Sequence, residues 1–325
     1  MATLLVPSSH ATIADALTIA VSGDEIVLAA GYGPEAATVT VSNVTINGPV
    51  TAAGIDLTIG AGVTSLTLTG DALINVTDSN GDNTITGNDG NNTITVTGGI
   101  DTVDGGAGND LLVVDYSSST VAITVTATTV SGGGDSASYT SFENYTILTG
   151  SGIDTITMTV GDNHIDAGDV GANAITVGSG NNTIISGSGI DAITVGDGDN
   201  NINVGAGADA ISVGSGSNYI DAGDGINIIS AIATGLGENI VISGDGADTI
   251  TLGSGVSHIF AGGGANIIST SATGLGSNTV STGDAADTIS LGDGDNRICA
   301  GGGANIITAG SGNNHISAGD GANTI

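Results

Sequence analysis

The sequence predicts an all-β protein built as a parallel β-solenoid, and three observations carry that prediction. From Thr149 to Ile325 the chain divides into nine-residue units, most of them x-G-x-G-x-[ND]-x-[IV]-x, as in VGSGNNTII, VGDGDNNIN and AGGGANIIT. The composition suits narrow coils rather than a thick core: 57 glycines stand against 2 phenylalanines, 5 tyrosines and no tryptophan. The 3 prolines all lie at or before Pro49, so every later backbone amide can enter a sheet ladder.

The elements follow in order. In segment 1–77, ATIADALTIAVSGDEIVL reads as a short helix from Ile13 to Ala20, a Gly-Asp turn, and strands with β-branched alternation. The strands within DLTIGAGVTSLTLTGDALINV continue this as further coils. A first block of nonads spans 78–113, a spacer containing VDYSSSTVAITV and SYTSFENYTIL spans 114–148, and the main array spans 149–325. Within a nonad, two glycines and an Asn or Asp tolerate the left-handed backbone of a tight turn. The triplet that follows alternates out, in, out as a short strand. Two nonads make one coil with strands on opposite walls, and successive coils pair in parallel about 4.8 Å apart. The expected inward ladder runs through Ile156, Ile165, Ile175, Ile184 and Ile193 onward to Ile325, with position one (Val177, Val195, Ala222, Ala261) filling the remaining core. Two longer units, at 231–242 and 270–281, insert three residues before the second glycine and keep the register.

Charge narrows the function. Lys plus Arg total 1, which is Arg297, against 33 Asp plus Glu, for a formal net charge of −32. One cation cannot offset phosphate charge, which excludes nucleic acid and anionic membranes as partners, and membrane insertion is excluded because no apolar run spans a bilayer. Divalent cations are the natural counterions, and a salty exterior would screen the self-repulsion. The single Cys299 excludes an intrachain disulfide framework. The start, MATLLVPSSH, lacks the basic segment and long apolar run of a signal peptide. If exported, the chain is expected to take a signal-peptide-independent route to a secreted or cell-surface location.

The nonads resemble the glycine-rich RTX repeats of secreted bacterial toxins, proteases, adhesins and surface-layer proteins, whose consensus is G-G-x-G-x-D-x-U-x. GGAGNDLLV, at 105–113, matches it fully, and later repeats match at the glycines and the apolar position. The resemblance implies a parallel β-roll with calcium bound in the turns. The opening segment is similar to the first coils of pectate-lyase-like right-handed β-helices, in which a helix caps the first coil. Together they imply a right-handed parallel β-solenoid, a β-helix start continuing into an RTX β-roll, as an elongated rod.

Sorting the nonads by side locates the candidate sites. One turn edge carries Asp154, Asn173, Asp191, Asp209, Asn227, Asp248, Asn266, Asp287, Asn305 and Asn323 at position six; the other carries Asn163, Asn182, Asn200, Asn218, Asn239, Ser257, Asn278, Asn296 and Asn314. Calcium takes oxygen ligands, and carboxylate count sets its affinity. It is therefore expected at Asp154, Asp191, Asp209, Asp248 and Asp287 and, in the first block, at Asp101 and Asp110. The Asn edge is expected to satisfy its turn amides as a ladder without metal. Acidic residues at positions three and five, such as Asp162, Asp197, Asp199, Asp245 and Asp295, read as solvated charge.

No catalytic constellation is present. HExxH and GxSxG are absent, and the 4 histidines form no nucleophile–base arrangement. Alginate epimerases join a pectate-lyase-like module to RTX modules, but the β-helical start here is too short for such a module. The expected function is an extracellular calcium-binding structural protein, a self-assembling surface-layer, filament or matrix subunit. The alternative is a rigid stalk segment of an RTX adhesin. Ice binding is the minor one, because paired threonines on the flat face occur only at Thr155/Thr157 and Thr249/Thr251. The expected partners are copies of the chain itself, with cell-surface polysaccharide as a second class. Copies would meet head to tail through the uncapped coil at Ile325, and laterally through the uneven face bearing His164, Tyr219, His258, Arg297 and His315.

Overall fold

Successive side chains of a strand point to opposite faces, and in the repeats this rule alone builds the core. The computed structural model describes residues 1–49, 51–231, 237–271 and 276–325. It divides into two units, Met1–Thr149 and Gly150–Ile325. In the second unit one ladder of parallel strands runs from Thr155–Val160 to Ile306–Ala309, and the opposite ladder runs from His164–Asp166 to His315–Ala318. Ile193 pairs with Ile211 on one wall and Ile202 with Ile220 on the other, so two nonads do close one coil. The longer units keep the register, with Tyr219 opposite Ile240 and Ile229 opposite Ile250. Their insertions fall on 232–236 and 272–275, outside the described residues.

The inward ladder is buried as expected: Ile156, Ile184, Ile202, Ile220, Ile250, Ile268 and Ile298 are at most 1% exposed. Ile325 departs from it, being 72% exposed, because no strand is stacked on its outer side.

Glycine in the turns is required by stacking as much as by backbone conformation. Gly225 has a φ of 143°, and a Cβ there would lie 1.4 Å from the Gly207 carbonyl oxygen of the coil before. Gly178 is not in the left-handed region, yet its Cβ would lie 1.4 Å from the Thr159 carbonyl oxygen. Coils packed at strand spacing leave no room for a methyl between turns.

The first unit uses the same two-wall plan with a capped start. Its helix is Ile13–Leu17, shorter than the expected Ile13 to Ala20, and buries Ile13, Ala16 and Leu17. Thr12 caps it by accepting from the Asp15 amide at 3.0 Å, and Glu35 accepts from the Ile13 and Ala14 amides at 2.9 and 3.0 Å. The stretch 114–148 is one further coil carrying an excursion. Asp135–Thr140 and Asn144–Leu148 pair in parallel with Ile100–Asp104 and Leu111–Asp115. Between them Thr124–Val125, Thr129–Gly132 and Asp135–Thr140 pair antiparallel. Aromatic rings pack here: Tyr139 and Tyr145 lie 5.9 Å apart, and Phe142 and Tyr145 lie 6.5 Å apart.

Candidate metal centre

Position six is where the turn bends into the strand, and its side chain is folded back under the turn. All seven expected ligands are buried there: Asp101, Asp110, Asp154, Asp191, Asp209, Asp248 and Asp287 are at most 2% exposed. From Asn173 to Asn323, one oxygen of each residue on the Asp-bearing edge accepts the position-six amide of the coil before. Asp191 Oδ1 takes the Asn173 N–H at 2.7 Å, Asp209 Oδ1 takes that of Asp191 at 2.8 Å, and Asp287 Oδ1 takes that of Asn266 at 2.8 Å. In the first block Asp101 and Asp110 hold the amides of Asn83 and Asn92 at 2.9 and 2.7 Å.

The second side-chain atom separates Asn from Asp. Asn227 Nδ2 donates to the carbonyls of Ala222, Gly223 and Ser243 at 3.3, 3.1 and 3.4 Å, and Asn266 Nδ2 to those of Ala261 and Gly264 at 3.3 and 3.0 Å. Position six under a turn is thus a pocket of carbonyl oxygens that accepts a donor. An aspartate in the same register turns an acceptor into it. Accordingly, Oδ2 of Asp101, Asp110, Asp209 and Asp287 is buried with no hydrogen-bond partner. Asp191 Oδ2 is relieved by the Ser186 hydroxyl at 2.8 Å. Asp248 Oδ2 faces the Ser243 hydroxyl without reaching hydrogen-bond geometry.

A buried acceptor among acceptors requires a proton or a hard cation. Burial pushes the Asp101, Asp110 and Asp209 carboxyls up to about 6, and raises those of Asp191 and Asp248. Carboxylate oxygens converging with backbone carbonyls are the donor set that calcium prefers, and these residues fit it.

The other edge behaves differently. Asn182 accepts the Asn163 amide at 3.2 Å on Oδ1, and the same oxygen accepts from Asn163 Nδ2 at 2.8 Å. The pattern repeats from Asn182 to Asn200 at 3.1 and 3.0 Å, and from Asn200 to Asn218 at 3.3 and 2.9 Å. Each amide also donates to a glycine carbonyl of its own turn, as Asn200 does to Gly198 at 3.0 Å. From Asn182 to Asn218 donors and acceptors match without metal, while Asn163 Oδ1 at the start of the row has no partner. The row breaks at Ser257, whose hydroxyl has no partner.

Two features were not read from the sequence. The acidic residues at positions three and five are exposed, as expected for solvated charge, yet many also cap the next coil. Asp197 and Asp199 accept the Ser215 and Ser217 amides at 2.7 Å, and Asp245 accepts that of Gly263 at 2.8 Å. Asp78 is a second surprise. It occupies position one of DSNGDNTIT, an inward place that holds an apolar residue in most nonads, and is only 4% exposed. Burial pushes its carboxyl up to about 7, with the neighbouring Asp101 adding to the shift. The acidic residue in an apolar column was the available signal.

Comparison with known proteins follows the same lines. The RTX calcium-binding nonapeptide repeat model, four copies long, matches residues 77–112, 194–229, 242–272, 273–307 and 300–325. Asp101, Asp110, Asp209, Asp248 and Asp287 fall inside these stretches, whereas Asp154 and Asp191 fall outside them. No curated protein and no solved structure matches the chain. With parallel coils, glycine turns and repeat matches in agreement, the chain belongs to the RTX family of calcium-binding nonapeptide-repeat proteins.

Proposed function

We propose that this protein is an extracellular structural subunit, hardened by calcium and assembling side by side with copies of itself into a surface array, filament or matrix. The observation that carries the reading is the buried row of position-six carboxylates, in which the second oxygens of Asp101, Asp110, Asp209, Asp248 and Asp287 have no hydrogen-bond partner. Calcium bound there supplies positive charge and extra oxygen coordination under the turns. Asp154, Asp191, Asp209, Asp248 and Asp287 would hold it along the main array, and Asp101 and Asp110 in the first block. Metal affinity then becomes folding free energy, which suits a repeat that hardens on reaching a calcium-rich exterior. RTX-repeat proteins are typically secreted bacterial proteins, in keeping with that setting.

Charge distribution supports the lateral contact. With a net charge of −32, copies repel wherever acidic edges meet. The face built by the strands from Thr155–Val160 to Ile306–Ala309 presents Thr, Ser, Ala and Ile outward and no charged side chain. Ile228, Ile267 and Ile306 on it are 58, 53 and 54% exposed, and Ile153, Ile190 and Ile226 at the adjoining turn corner are 65, 67 and 63% exposed. This face favours self-contact over the uneven one bearing His164, Tyr219 and Arg297, because apolar area can be covered there without burying charge. Light scattering and negative-stain microscopy in millimolar calcium test it. Ordered assemblies are expected, and Ile228→Glu with Ile267→Glu should dissolve them. A wild-type protein that stays monomeric at high concentration rejects assembly and favours the adhesin-stalk reading.

A further inference from the structure

The first repeat block contains a pair of buried carboxylates that the nonapeptide consensus does not account for. Asp78 and Asp101 are 4 and 2% exposed, and their carboxyl groups lie within hydrogen-bonding reach of each other. The donors that reach the pair go to the other oxygen of each group. Asp78 Oδ1 takes the Thr97 amide at 2.9 Å and the Thr97 hydroxyl at 2.7 Å, while Asp101 Oδ1 takes the Asn83 amide at 2.9 Å. Oδ2 of both residues has no donor. Beside them the Tyr116 hydroxyl is also buried without a hydrogen-bond partner, in a residue 4% exposed, and the charges of Asp101, Asp135 and Asp78 all act on it. Two unpartnered carboxyl oxygens therefore meet in the buried interior, with a third unpartnered polar group, the Tyr116 hydroxyl, near enough to feel their charge.

Protein charge does not neutralise this cluster. Met1–Thr149 contains no lysine and no arginine. Asp82 and Asp135 flank the pair, holding the Ile100 and Gly99 amides at 2.9 Å each, and add negative charge. Thr97, which anchors Asp78, also lines a polar recess of about 430 Å³ together with Asn80, Gly98, Asp115 and Asp135. The recess brings a polar, solvent-facing surface up to Thr97.

We propose that Asp78 and Asp101 together hold one hard divalent cation, calcium by the chemistry of its oxygen donors, inside the first repeat block with the Tyr116 hydroxyl beside it. Asp78 is thus a ligand supplied from the core column of the preceding coil, not from a turn. The site caps the repeat block with a charge-neutralising ion at a position where most nonads have an apolar residue. This inference rests on reading Asp101 as calcium-binding.

Terbium serves as the probe, because it replaces calcium and its emission is sensitised by nearby tyrosine. The chain has 5 tyrosines and no tryptophan to compete. The full chain is compared with Asp78→Asn and Tyr116→Phe by calcium stoichiometry in equilibrium dialysis and by tyrosine-sensitised terbium emission. Asp78→Asn should lose one bound calcium and part of the emission. Tyr116→Phe should keep the calcium count and lose the same part of the emission. If both variants match wild type in count and emission, the inference is overturned and the pair is held by a shared proton. If Asp78→Asn does not fold, unchanged emission in Tyr116→Phe is sufficient to overturn it. A wild-type protein that binds no calcium overturns the calcium reading of the turns as well, which distinguishes the two failures.

Discussion

A single atom at position six decides whether a coil needs metal. Asparagine points an amide at the turn carbonyls and closes the turn unaided, as Asn227 and Asn266 do. Aspartate points an oxygen at the same carbonyls, and Asp209 Oδ2 has no donor. Leaving a buried polar atom unsatisfied costs about 1–3 kcal/mol. Asp209→Asn should therefore stabilise the calcium-free protein by about 1 kcal/mol or more while removing one calcium and its share of calcium-induced stabilisation. Chemical denaturation with and without chelator reads both effects, and a loss of stability in chelator would contradict the account. The position-six row was legible because nonad spacing puts it on one edge and glycine marks the turn. The exchange of Nδ2 for Oδ2 under shared carbonyls was not legible, since it depends on how deeply the side chain folds beneath the turn. Asp78 is a different case: an acidic residue in the apolar position-one column was the cue, but the spacing alone does not show that it is buried beside Asp101.

At the level of the element, the two edges of one coil use opposite solutions. The asparagine row satisfies itself through paired contacts from coil to coil, so it works as a template that holds register without ions. Ser257 interrupts it with a side chain too short to reach the neighbouring coil, and Asn278 Oδ1 is left without a partner as well. Ser257→Asn should restore the row and raise stability by about 1 kcal/mol, with calcium stoichiometry unchanged. Thermal denaturation of the paired proteins checks this, and a lower midpoint in the variant would show that the site cannot accept the larger amide. The strands themselves were legible throughout the repeats, because out-in-out alternation and β-branched residues leave little choice. The coil at 114–148 was seen only as a spacer. Its glycines, Gly132 to Gly134, sit at the tip of the hairpin excursion and not in an x-G-x-G-x-[ND] turn, and what makes it a coil is its parallel pairing with Ile100–Asp104 and Leu111–Asp115, a long-range contact that local spacing does not encode.

For the whole molecule, the balance lies between apolar ladders that stack well and carboxylates that resist being stacked. The ordinary aspartate value is 3.8, whereas burial pushes Asp101, Asp110 and Asp209 up to about 6 and Asp78 up to about 7. Between those values the unfolded chain has released its protons and the folded chain still holds them. The folded state then binds more protons, and its stability falls as pH rises through that window. Below about pH 4 the difference vanishes because both states are protonated. Calcium reverses the dependence, since it binds the ionised form and competes with protons. Thermal unfolding followed by β circular dichroism, in excess chelator and in excess calcium, at pH 5 and pH 7.5, tests this most directly. The account predicts that the chelated protein is less stable, with weaker β signal, at pH 7.5 than at pH 5. It also predicts that calcium stabilises strongly at pH 7.5 and far less at pH 5. A chelated protein that is as stable at pH 7.5 as at pH 5, and gains nothing from calcium at either, would contradict it.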